Sequence, residues 1–284
     1  MPELRAPELK YFKLYLLILR LDISLPATLL AYLSSAVAFS SFTQPVSFAA
    51  ASAVFFLISA NMIVNDFINI SYDKVRKPTK AILSRKVSLK MVGGIFWITM
   101  LLALATSYSI NPLMTGIFLL ITVIMSAYSW KAKNVIFSEL IVGLLVALII
   151  ASAGIAGNTA FSVSMAVVYF FLSTSYVIQK NIKDFMQNLR REEETLIKKI
   201  GVFRSRFVFE IMTILMIASS FIPFITGVMG SVYLFFAIIA DILMLVSIIY
   251  PKYALELAKA SAFIIFIAFI FGSMEITFLV TIGV

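Results

Sequence analysis

Cysteine and histidine are both absent from the 284 residues. Their absence excludes thiol nucleophiles, histidine general bases and His- or Cys-ligated zinc, haem or iron–sulfur centres, and it leaves no disulfide from which to infer a redox compartment. Oxygen-ligand chemistry is what remains for metal binding. Charge is scarce too: Asp, Glu, Lys and Arg make up 13% of the chain, against 62% hydrophobic residues. A mean hydropathy of +1.04 lies well outside the range of ordinary soluble domains.

What the chain has in abundance is long apolar runs. A hydrocarbon core about 30 Å thick is crossed by about 20 helical residues. Nine such runs are present, near 14–40, 46–64, 90–109, 112–129, 135–156, 160–179, 207–227, 230–249 and 256–281. The first is far longer than the apolar core of a cleavable signal and is expected to be retained. The expected fold is an all-α membrane protein, a single domain over 1–284 with nine transmembrane helices.

The net charge of +9 invites a nucleic-acid reading, but the cations form no continuous face. They cluster before span 1 (Arg5, Lys10, Lys13, Arg20) and between spans 2 and 3 (Lys74 to Lys90), 4 and 5 (Lys131, Lys133), 6 and 7 (Lys180 to Arg206), and 8 and 9 (Lys252, Lys259). The other four connections and the C-terminus have none. Nine spans therefore put all 23 basic residues on one side, which the positive-inside rule makes cytoplasmic, N-terminus included. A multi-pass protein of the cell membrane with its site facing the cytoplasm, and no nucleic-acid partner, is the expectation.

Two connections on the basic side, 65–89 and 180–206, are about 25 residues long and rich in both signs of charge. The first carries Asp66, Asn69 and Asp73; the second carries Asn181, Asp184 and Asn188. Both triplets use offsets of 0, +3 and +7, which return to one face of a helix. Each would continue the preceding span and present three oxygen-bearing side chains in a row. Carboxylates and amides so arranged at the mouth of a bundle suit Mg²⁺, which accepts one or two carboxylates, keeps waters and bridges to substrate phosphates. Read alone, either triplet is more readily a solvated helix end; two of identical spacing, after spans 2 and 6, favour the metal reading.

These residues resemble the UbiA-type intramembrane prenyltransferases, nine-helix proteins with an N-D-x-x-D-x-x-x-D motif after helix 2 and a D-x-x-D-x-x-x-D motif after helix 6. The matching stretches are Asn65 to Asp73 and Asn181 to Asn188. The resemblance extends to Arg76 to Ile82 with Val87-Ser88, to the lead Lys180-Asn181-Ile182-Lys183-Asp184, to Thr195-Leu196-Ile197 with Gly201, to Tyr128, Lys131 and Lys133 after helix 4, and to Arg20 in helix 1. Asn69, Asn181 and Asn188 stand where the family carries aspartates, so three carboxylates remain of about five or six.

The resemblance implies Mg²⁺-dependent transfer of a prenyl group from an isoprenyl diphosphate to a lipophilic acceptor, aromatic or lipid. On that reading Asp66, Asp73 and Asp184, assisted by Asn65, Asn69, Asn181 and Asn188, hold the metal, with Asp66 and Asp184 facing one cavity. Arg20, Lys80, Lys131, Lys133 and Lys180 meet the diphosphate, and Tyr128 orients the leaving group or shields the carbocation. The acceptor leaves no mark in the sequence. Two alternatives stand beside this reading. One is a silent paralogue that binds prenyl lipid or a partner protein, which the three asparagines favour. The other is a secondary transporter using the intramembrane acids Glu139 and Asp241, which predicts helices broken near the midplane. A third acid, Glu275, lies toward the outer interface.

Overall fold

A computed structural model describes residues 18–39, 43–70, 88–130, 138–155, 157, 159–186 and 196–282. Hydrocarbon offers no partner to a backbone N–H or C=O, so a spanning segment must satisfy its own, and helices do. Nine long helices appear among the described residues: α1 (Leu21–Ala38), α2 (Pro45–Ile68), α3 (Leu89–Ile110), α4 (Pro112–Trp130), α5 (Ser138–Gly154), α6 (Thr159–Met186), α7 (Leu196–Ser220), α8 (Ser231–Ile249) and α9 (Ala254–Ile282). Eight are long and apolar enough to cross a membrane; α5, at 17 residues, is slightly shorter. Successive helices reverse direction, so the ends that carry the cations gather at one end of the bundle, the basic end.

Helices α1 and α5 hold the bundle together. α1 packs against α2, α5, α6 and α9, while α5 packs against α1, α2, α4 and α6. Small residues allow this. Ala31, Ser34, Ser35 and Ala36 are wholly buried on α1, and the Ser34 hydroxyl donates to the Ile150 carbonyl of α5 at 2.8 Å. Gly143 of α5 abuts α6 so closely that an added Cβ would sit 2.8 Å from the Phe170 carbonyl oxygen. Two apolar cores result. One joins α2, α3 and α4 to Ala31 and the inner face of α5; the other joins α6 to α9 around Phe161, Tyr233 and Phe269. The two motif helices, α2 and α6, thus share α1 and α5 as common neighbours.

Local structure at the ends of α2, α6 and α7 bears directly on the sequence expectations. α2 ends at Ile68 with Asn69 as its C-cap; Asp73, the third member of the first triplet, lies outside the described residues. α6 runs on to Met186 and carries Asn181 and Asp184, as expected of a triplet that continues its span, whereas α7 begins at Leu196, eleven residues before the expected start of the seventh span. Four cations over 196–206 lower the hydropathy there without opposing helix formation, because they are strong helix formers. Gly201 interrupts the helical geometry at φ 81, a left-handed value that a glycine adopts at little cost.

Candidate functional site

The first motif occupies the last turn of α2. Asp66 is buried, 8% exposed, and accepts a hydrogen bond at 3.3 Å from Nη1 of Arg20, the residue that caps the start of α1. Arg20 is fixed in turn by Asp22, which receives Nε at 3.1 Å and Nη2 at 3.2 Å. Its backbone sits at φ 50, an unusual setting for a side chain with a Cβ. An arginine fork shared between two carboxylates leaves the Asp66 charge compensated out of water, where an isolated carboxylate would be costly. Asn65 ties the same turn to α4. Its Oδ1 accepts from the Ser129 hydroxyl at 2.9 Å and from Asn69 Nδ2 at 2.9 Å. The single Ser129 proton is shared with the Met125 carbonyl, 2.8 Å from the same hydroxyl, so Asn65 Oδ1 keeps capacity to accept elsewhere. Tyr128, half-buried, precedes Ser129 in the chain.

The second motif lies at the end of α6, and its brace comes from α5. Glu139, 2% exposed, accepts from Asn181 Nδ2 at 2.8 Å and from the Leu196 backbone N–H at 3.3 Å through Oε1, while Ser138 donates to Oε2 at 3.3 Å. One buried carboxylate therefore joins the motif turn of α6 to the first N–H of α7. This accounts for an asparagine at position 181: an aspartate there would set two carboxylates against each other, whereas an amide donates. With Nδ2 on Glu139, Asn181 has Oδ1 to offer elsewhere. Asp184 follows one turn later and is half-buried; Lys180, four residues before it, is exposed.

The two motifs are thus held alike, Asp66 by the residue capping α1 and Asn181 by a residue in the first turn of α5. Of the expected site residues, Arg20, Asn65, Asp66, Asn69 and Tyr128 belong to the α1–α2–α4 end, and Lys180, Asn181 and Asp184 to α6. Asp73, Lys80, Lys131, Lys133 and Asn188 lie outside the described residues. Arg20, expected to meet the diphosphate, binds two carboxylates here. Sequence reasoning missed Asp22 and Ser129, whose only signal is adjacency to Arg20 and Tyr128, and it left Glu139 without a partner.

The other two intramembrane acids have local partners. Asp241 Oδ2 accepts from the Ser220 hydroxyl at 2.8 Å, locking α8 to the end of α7. Glu275 accepts from the Val232 N–H and the Ser231 hydroxyl, each at 3.0 Å, and so caps the start of α8. None of the described long helices is broken near its middle, and the transporter expectation loses its structural basis.

Fold and site together define an integral membrane helical bundle with a braced acid–amide site at one end. The chain belongs to the UbiA prenyltransferase family, whose model matches residues 24–270. Similar relatives include the digeranylgeranylglyceryl phosphate synthases of Sulfurisphaera tokodaii, 25% identical over 77% of this chain and 81% of that one, and of Pyrococcus horikoshii, 29% identical over 78% and 82%. That of Methanococcus maripaludis is 26% identical over 92% of this chain and 98% of its own. A solved structure concerned with digeranylgeranylglyceryl phosphate synthase superposes with a TM-score of 0.81 at 22% identity, covering 94% of this chain and 99% of that one. A UbiA homologue from Archaeoglobus fulgidus, bound to GPP and Mg²⁺, gives 0.65 at 14% identity over 92% and 99%. These likenesses confirm the all-α, nine-helix class of fold. The family is one of prenyl-transferring enzymes, and the transporter alternative is set aside.

Proposed function

We propose that this chain transfers a prenyl group from an isoprenyl diphosphate to a lipophilic acceptor, in a site between the two motifs at the basic, cytoplasm-facing end of the bundle, with Mg²⁺ as cofactor. The observation that carries the reading is Asp66, buried and braced by Arg20 at the end of α2 in a chain of this family. The donor set suits a hard ion. Asp66 and Asp184 offer carboxylate oxygens, Asn69 and Asn181 offer amide oxygens, and nitrogen or sulfur ligands are lacking. Asp73 and Asn188 complete the set, and Asn65 supports it from behind. Asn69, Asn181 and Asn188 bring no charge to the ion, so the diphosphate must bring much of the negative charge itself.

Bound there, Mg²⁺ supplies neutralisation of the charge that grows on the departing diphosphate. The chain's residues do the rest. Arg20 and Glu139 fix the two motif turns before substrate arrives, which removes reorganisation from the reaction. Lys180, with Lys80, Lys131 and Lys133, brings mobile ammonium groups to the diphosphate oxygens. Tyr128 lies near the first motif and orients the leaving group. The allylic carbon–oxygen bond to diphosphate breaks, the acceptor atom bonds to that carbon, and the acceptor gives up its proton.

The relatives named as digeranylgeranylglyceryl phosphate synthases support a glycerol-phosphate lipid as the acceptor. Retention of a radiolabelled isoprenyl diphosphate by purified protein tests the donor side. Retention should need Mg²⁺ and be lost in Asp66→Ala and in Asp184→Ala; retention indifferent to the metal and to both substitutions would reject the site.

A further inference from the structure

A cavity of about 370 Å³ opens among the basic ends of α6, α7, α8 and α9. Its α6 wall is Gln179, Ile182, Lys183 and Met186, at i, i+3, i+4 and i+7, which is one helix face. At 100° per residue, Asn181 and Asp184 point roughly 180° away from that face. The cavity therefore stands behind the second motif, separated from it by the thickness of α6.

Its lining has two characters. Ile182, Val202, Phe209 and Leu255 make an apolar wall, while Lys183, Arg206 and Lys252 supply three cations. Lys183 pairs with Glu256 at 3.0 Å, and Arg206 pairs with Glu210 at 3.1 Å and donates to the Ile248 carbonyl at 3.0 Å. Among the described residues Lys252 has no carboxylate partner, its Nζ resting 5.5 Å from the Tyr253 ring centroid. Three cations against two carboxylates leave one positive charge over.

We propose that this cavity binds a lipid whose phosphate head carries net negative charge, distinct from the prenyl diphosphate and its acceptor. An anion alone would leave the apolar wall wet, and a neutral lipid would make no use of the surplus positive charge at the rim, where Lys252 is exposed; a molecule with an anionic head and a hydrocarbon body matches both. The volume falls within the usual range of small-molecule sites and suffices for a headgroup with the first part of its chains, the remainder lying along the lipid-facing helices. Such an occupant touches four helices at once and steadies the α6 turn that carries Asp184 from behind. The proposal stands on the cavity alone and does not depend on prenyl transfer.

Thermal unfolding of the full-length protein in detergent tests it, with phosphatidic acid, phosphatidylcholine and inorganic phosphate as separate additions. Phosphatidic acid should raise the midpoint while the other two do not. Lys183→Gln with Lys252→Gln should remove that shift, whereas Lys198→Gln with Lys199→Gln, equal in charge but outside the lining, should keep it. Lys252→Gln alone breaks no ion pair and carries the same test should the double variant fail to fold: the shift should shrink clearly. Equal shifts in all variants would reduce the effect to general surface charge and overturn the proposal. An equal shift from inorganic phosphate would overturn the lipid assignment.

Discussion

Removing the Glu139 carboxylate should uncouple α5 from both α6 and α7. In Glu139→Ala, Asn181 Nδ2 and the Leu196 N–H lose an acceptor that is now 2.8 and 3.3 Å away in a site only 2% exposed. Hydrogen bonds to a charged group are worth about 1.5–3 kcal/mol each. The Leu196 bond is long and Asn181 can turn partly to water, so the low half applies to each and the loss is roughly 3–4 kcal/mol. At about 2–4 °C per kcal/mol, the midpoint of thermal unfolding should fall by about 5–15 °C. Glu139→Gln keeps one acceptor oxygen and should lose only about 1 kcal/mol. A double-mutant cycle with Asn181→Ala should return a coupling of about 1–3 kcal/mol. An alanine variant that melts with the wild type, or a cycle without coupling, would refute the brace.

Arg20→Gln leaves Asp66 buried with less compensation; it should cost about 1–3 kcal/mol and weaken Mg²⁺-dependent retention of the prenyl diphosphate, both readable in one purified sample. Gly143→Ala drives a methyl into Thr174 Oγ1 and the Phe170 carbonyl of α6, and should destabilise by about 1–3 kcal/mol, while Gly116→Ala, with open space around it, should be neutral or mildly stabilising by melting in the same detergent. Reporter fusions should report cytoplasm for the connections after α2, α4, α6 and α8 and the opposite side for Val284; a cytoplasmic signal at Val284 would break the proposed orientation.

The number and class of the helices were legible because bilayer thickness sets an apolar length that nine runs meet, and because the cations alternate with them. The start of α7 was hidden: Lys198, Lys199, Arg204 and Arg206 read as loop to a hydropathy count, although charged residues at the edge of a bilayer continue a helix well. Spacing found Asp66 and Asp184 as motif residues. Spacing could not find that Arg20 meets Asp66 across 46 positions or that Glu139 meets Asn181 across 42, since only the packing of α1 on α2 and α5 on α6 brings them together. Asn181, which looked like a ligand lost, is understood once the carboxylate beside it is seen. Asp241 drew a functional reading because an acid in a span is expensive, and its partner Ser220 is what makes it tolerable, as the start of α8 does for Glu275.

The central claim is prenyl transfer, and its most direct measurement is the mass of the product. Purified protein should be supplied with an isoprenyl diphosphate, a prenylglyceryl phosphate and Mg²⁺, and the lipid extract weighed by mass spectrometry. The account predicts a new species heavier than the acceptor by one prenyl group less a hydrogen, absent without Mg²⁺ and absent in Asp66→Ala and Asp184→Ala. Donor binding that persists while no acceptor, whether glycerol-phosphate lipid or aromatic, ever gains a prenyl group would contradict it.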